Sequence, residues 1–152
     1  MKKSIALILI AVCLLAVSCK AKELNGTIDQ LFEKISKVNA EGELFAYDSD
    51  RLYDELLISN DLYSEGYFMI PVESNGVETI AFFKATNKEN AKKLLDAFST
   101  YIKDKQTYEE QYNADNYEVA KKAVAKSEGL YVYLVMSPNK TAVFDVINDN
   151  LK

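Results

Sequence analysis

An α+β fold is expected from this sequence: an antiparallel four-stranded sheet of two hairpins, with helices packed on one face, in the order α-α-β-β-α-β-β-α. Three observations carry the expectation. Apolar residues recur at helical spacing near the start, in the middle and at the end of the chain. Between these stretches lie two blocks rich in aromatic and β-branched residues. Each block contains a turn dipeptide, Asn75-Gly76 in the first and Glu128-Gly129 in the second. Such an order suits a sheet built from neighbouring strands, with helices packed against it.

The elements follow in turn. Thr27 can cap a helix whose residues Ile28, Leu31, Phe32, Ile35 and Val38 share a face, with Gly42 as a stop. A second, short helix is expected over Asp50–Leu57, where Leu52, Tyr53, Leu56 and Leu57 fall together. Tyr67–Glu73 and Val77–Ala85 read as strands joined at Asn75-Gly76, because a tight primed turn needs residues that tolerate positive φ. Pro71 cannot donate to a ladder, which assigns the first of these strands to a sheet edge. Thr86 with Glu89 forms a capping-box signature ahead of a long helix. Its apolar face holds Ala91, Leu94, Leu95, Phe98, Tyr101 and Ile102, and it ends near Tyr108–Tyr112. Val119–Lys126 fits both periods and is assigned to strand because the Glu128-Gly129 turn follows it. Leu130–Met136 is continuously apolar, as a central buried strand is. Ser137-Pro138 then caps and opens a final helix that buries Ala142, Val143, Val146, Ile147 and Leu151.

The first residues point to export. Met1, Lys2 and Lys3 precede an uncharged run from Ile5 to Val17, and Ser18-Cys19 closes it. A basic start, a short apolar run and a small-residue cleavage site make a secretory signal, and the run is short of the roughly 20 residues a spanning helix needs. Leu15-Ala16-Val17-Ser18-Cys19 resembles the bacterial lipobox, in which the cysteine thiol receives a diacylglyceryl group and becomes the new first residue. The expected organisation is therefore a leader over 1–18, a lipidated tether over 19–26 and a single domain over 27–152. The only cysteines are Cys13 and Cys19, so no disulfide is available after the cut. The expected location is the outer face of the cell membrane, reached through lipid on Cys19.

Composition excludes more than it selects. Losing Lys2 and Lys3 with the leader leaves 16 basic residues against 23 acidic ones, a balance of −7. No basic stripe of a nucleic-acid binder is present. The chain has no histidine, which removes the common zinc sets and the Ser-His-Asp and Cys-His pairs. The five glycines are scattered singly, so there is no phosphate loop. No catalytic residue, metal site or cofactor is expected.

Tyrosine is abundant, ten residues in a chain without tryptophan. Tyr101, Tyr108, Tyr112 and Tyr117 gather around the end of the long helix, and Tyr131 and Tyr133 lie on the last strand. They read either as boundary residues with an apolar body and a wet tip or as a platform for an envelope sugar or peptide. Tyr112, Tyr131 and Tyr133 form the candidate binding surface. Carboxylates occur at Glu109-Glu110 and Asp48-Ser49-Asp50, where helix capping and solvation explain them as well as chemistry does.

The chain is similar to a family of small lipoproteins carrying a domain of unknown function, common in low-GC Gram-positive bacteria. The likeness rests on the leader, on Glu78-Thr79-Ile80-Ala81-Phe82-Phe83-Lys84-Ala85, on the Lys-rich helix leading to Tyr112-Asn113, and on Gly129-Leu130-Tyr131-Val132. The resemblance implies location and fold and supplies no activity. The leading expectation is a non-enzymatic, membrane-anchored module that binds a protein partner or an envelope component such as a glycan. The alternative is a carboxylate-dependent hydrolase of envelope polysaccharide, which needs two acidic groups facing across a cleft.

Overall fold

The computed structural model describes residues 22–40, 42–72 and 76–152. The expected leader, Cys19 and Asn75 of the expected turn lie outside these residues. Among the described residues the elements run α1 (Ile28–Ile35), β1 (Leu44–Ala46), α2 (Ser49–Leu56), β2 (Tyr63–Pro71) and β3 (Thr79–Ala85). Then follow α3 (Lys88–Tyr112), α4 (Ala114–Ala120), β4 (Val124–Glu128), β5 (Tyr131–Met136) and α5 (Lys140–Asn150). The α+β class holds, but the antiparallel sheet has five strands, in the order β1-β2-β3-β5-β4.

Helices cover both faces of this sheet, not one. β3 and β5 lie side by side at its centre, in a register that pairs Thr79 with Met136 and Lys84 with Tyr131. Side chains alternate between faces along a strand. Ile80, Phe82, Tyr131, Tyr133 and Val135 therefore point one way, where Ile28, Leu31 and Ile35 of α1 and Val143 and Ile147 of α5 close over them. Ala81, Phe83, Val132, Leu134 and Met136 point the other way, onto Leu52 of α2 and Leu94 and Phe98 of α3. A strand apolar on both sides must be covered on both sides, and each large side chain so buried contributes about 1.5–3 kcal/mol.

Two elements were not expected. β1 is a three-residue strand that pairs with β2 and takes the sheet edge assigned above to β2. Pro71 is accommodated because the ladder bonds run from Val72 N–H to Glu43 (3.0 Å) and from Tyr47 N–H to Phe68 (2.9 Å). Opposite Leu44, Pro71 thus occupies a non-hydrogen-bonded position and costs the β1–β2 ladder no bond. The second addition is α4, which occupies Val119 and Ala120, expected to be strand. Asn113 accepts hydrogen bonds from the N–H groups of Asp115 and Asn116, both at 3.1 Å, and so restarts the helix one residue after α3 stops. Strand β4 begins only at Val124.

Capping assignments divide. Thr27 caps α1 in a full capping box with Gln30, and Asp48 caps α2 by accepting from Arg51 N–H at 2.9 Å. The cap of α3 is Asn87, not Thr86. Thr86 instead donates its hydroxyl to the carbonyl of Asp61 at 3.0 Å and ties α3 to the approach to β2. Ser137 likewise does not cap α5, whose N-cap residue is Asn139. Its hydroxyl donates to the fully buried carboxyl group of Glu78, which also accepts from Ala40 N–H at 3.0 Å. Residues 22–26, expected within a free tether, are docked at least in part. Glu23 and Lys152 exchange backbone hydrogen bonds of 2.7 and 3.0 Å, and Asn25 N–H donates to Asn150 at 2.7 Å.

Gly66 marks a close approach in this sheet. A Cβ at this position would meet Cδ1 of Phe83 at 2.5 Å and the carbonyl oxygen of Phe82 at 2.8 Å. The Phe83 ring is fully buried against Phe98 and cannot swing away. Gly66→Ala is expected to cost about 1–3 kcal/mol through overpacking, read as a lower urea midpoint with an unchanged slope.

Candidate functional site

The three tyrosines expected to form one surface do not meet. Tyr133 is fully buried and Tyr131 nearly so, both under the α1 and α5 layer. Tyr133 stacks on Phe82 with ring centroids 5.9 Å apart and donates its hydroxyl to Glu128 at 2.6 Å. Tyr131 accepts a hydrogen bond from Leu24 N–H at 3.2 Å. Only Tyr112 is at the surface, 70% exposed.

The long helix explains where Tyr112 stands. Tyr101 is within hydrogen-bonding distance of Thr79, at 3.0 Å, and its ring meets Phe68 edge-on at 5.0 Å. Its burial pushes the phenol up to about 12, since the phenolate would lose its hydration there. Thr79 is the first residue of β3, so the last three turns of α3 run on past that end of the sheet. Helix α4 folds back along them. Gln106 donates to the carbonyl of Ala120 at 3.0 Å and Asn116 donates to the buried carboxyl of Glu109 at 3.2 Å. The product is a projecting helical hairpin. On its outside Tyr108 and Tyr112, one turn apart, pack their rings at 4.6 Å while remaining 57% and 70% exposed. Tyr108 was within the tyrosine cluster noted above; helical phase alone could have paired it with Tyr112 at i,i+4.

The opposite end of the molecule holds a basin of about 530 Å³. It is lined by Lys22, Lys84, Lys88, Glu65, Leu130 and Tyr131, among others. Lys22 pairs with Glu128 at 3.0 Å and Lys84 with Glu65 at 3.8 Å, while Lys84 also lies 5.9 Å from the centre of the Tyr131 ring. Acidic groups elsewhere form no metal centre: among the described residues no three are placed to hold an ion. Asp48 is spent on the cap of α2. Among the described residues no helix is long and apolar enough to cross a membrane.

Tyr133 and Lys22 together hold the Glu128 carboxyl below its usual range, the Tyr133 hydrogen bond being the larger cause. A depressed carboxyl stabilises the fold above its unfolded pKa of about 4.3 and loses that contribution as pH falls through the folded value. Tyr133→Phe is therefore expected to cost about 1 kcal/mol near pH 7, and the difference from wild type to shrink near pH 3. Urea midpoints at the two pH values check both parts.

No curated protein and no solved structure matches this chain. A family model does match, described as a domain of unknown function, over residues 36–137. That span takes in all five strands with α2, α3 and α4, and leaves α1 and α5 outside it. It covers about two thirds of the chain, which belongs to the family defined by this domain of unknown function, DUF4358.

Proposed function

We propose that this chain is an exported lipoprotein, cut before Cys19 and anchored by lipid at the outer face of a Gram-positive cell membrane. In this reading it is a non-enzymatic module that engages a protein partner or an envelope component through Tyr108 and Tyr112. The observation that carries the binding surface is this ring pair, held open to solvent on a projecting hairpin that the sheet does not cover. Tyrosine offers large contact area at little conformational cost, and exposed tyrosines are enriched where partners bind. The anchor rests on the leader and the lipobox-like Leu15–Cys19 stretch.

The acidic depression along α2 gives hydrolysis no support. Asp50 and Asp54 line a depression of about 360 Å³, but they stand one turn apart on the same helix. Paired-carboxylate hydrolysis needs groups on opposite sides of a scissile bond.

Crosslinking in intact cells tests the reading, with captured molecules identified by mass spectrometry. Wild type is expected to capture one dominant protein or glycan, and Cys19→Ala to leave the membrane fraction and lose it. Tyr108→Ala with Tyr112→Ala is expected to abolish capture while changing stability by no more than about 0.5 kcal/mol, as surface substitutions do. Undiminished capture by the doubly substituted, membrane-bound chain would rule out the tyrosine surface.

A further inference from the structure

The geometry points to the basin end of the domain as a membrane-contact face, seated on the phospholipid headgroups of the bilayer that holds the anchor. This inference rests on the lipid anchor proposed at Cys19. Only three residue steps separate Cys19 from Lys22, and an extended chain covers at most about 3.6 Å per residue, so the leash is no longer than about 11 Å. A headgroup layer is about 5–8 Å deep. At Lys22 the chain has already joined the fold: its ammonium pairs with Glu128, and the next residue exchanges backbone hydrogen bonds with Lys152. A domain tied this closely has little freedom to turn over. The end bearing the basin must lie against the lipid.

Charge at that end agrees. The basin lining holds Lys22, Lys84 and Lys88 against Glu23 and Glu65, and with Glu128 paired to Lys22 this end is neutral, in a chain whose balance after the cut is −7. Lys88 stands exposed at the first position of α3, where a cation gains nothing from the helix dipole. Anionic phosphate headgroups attract exposed lysines within a Debye length of the surface and repel the acidic remainder of the domain. Leu130, half-buried, adds apolar surface to the same basin. Helix α3 starts at this face and runs away from it for 25 residues, which places Tyr112 about 36 Å from Lys88 along the helix. The membrane contact and the tyrosine pair thus occupy opposite ends.

The test supplies the anchor chemically. A chain beginning at Cys19 keeps both cores, whose buried residues all lie between Ile28 and Leu151. It is coupled through its single thiol to maleimide-headgroup lipid in vesicles of equimolar phosphatidylcholine and phosphatidylglycerol, with circular dichroism to check the fold. Lysines are labelled with an amine-reactive reagent on the vesicles and again after detergent solubilisation, then quantified by mass spectrometry. Lys22, Lys84 and Lys88 are expected to be several-fold less reactive on the vesicles, with Lys103 and Lys121 on the projecting hairpin unchanged. Equal reactivity in both states, or protection of Lys103 and Lys121 instead, would overturn the proposed face. Either failure would leave acylation of Cys19 standing, since that is decided by palmitate labelling of the wild-type chain in cells.

Discussion

Strands β3 and β5 carry large apolar side chains on both of their faces, and the rest of the architecture serves to cover them. Phe82 and Tyr133 stack on one side, and Phe83 meets Phe98 on the other. Left with helices on one face only, this pair would expose a contiguous apolar surface of the kind that drives association. Helices α1 and α5 close one side, and α2 and α3 close the other. The backbone bonds between Glu23 and Lys152 then hold the two ends of the described chain together beside α1 and α5. The family domain spans the sheet and the α2–α3 layer, so the second cover is made by segments on either side of it.

So dense a core leaves little room for polar groups, and those inside are tied to partners. Glu78 is fully buried, and its carboxyl group gathers the N–H of Ala40 and the hydroxyl of Ser137. It thereby joins the turn after α1 to the exit of β5. A buried carboxyl is tolerated where its oxygens accept several hydrogen bonds, and it specifies which loops must meet there. At the other end Tyr133 reaches through the core layer to Glu128, which in turn holds Lys22. That relay connects the stacked aromatic centre to the first described residue.

The two ends of the molecule differ in kind. One combines the docked segment near the N-terminus, the start of α3 and a lysine-lined basin. At the other end the sheet stops while α3 and α4 continue, so side chains there face solvent on more than one side. The lysine-lined basin and the Tyr108–Tyr112 ring pair therefore lie toward opposite ends of a 25-residue helix.

Much of this was legible from residues alone where periodicity was long and turn chemistry agreed with it. α1 with its Thr27 cap, the apolar face of α3, the antiparallel pairing of β2 with β3, and central β5 all follow from local pattern. The continuous apolar run Leu130–Met136 also implied cover on both faces, a consequence that the one-face expectation missed. β1 was illegible because three residues carry no period, and its strand state comes from its pairing with β2. α4 was missed because Val119 and Ala120 fit two periods, and the decision lay with Asn113 as a cap and with packing against α3. The same limit applied to the tyrosines. Sequence by itself determined that they cluster near the end of α3 and along β5, since local pattern sets which residues neighbour one another in each element. Only the tertiary structure decided that Tyr131 and Tyr133 belong to the core while Tyr108 and Tyr112 face solvent. Burial depends on what packs against a residue from elsewhere in the chain, and α5, which closes over Tyr133, begins several residues beyond β5.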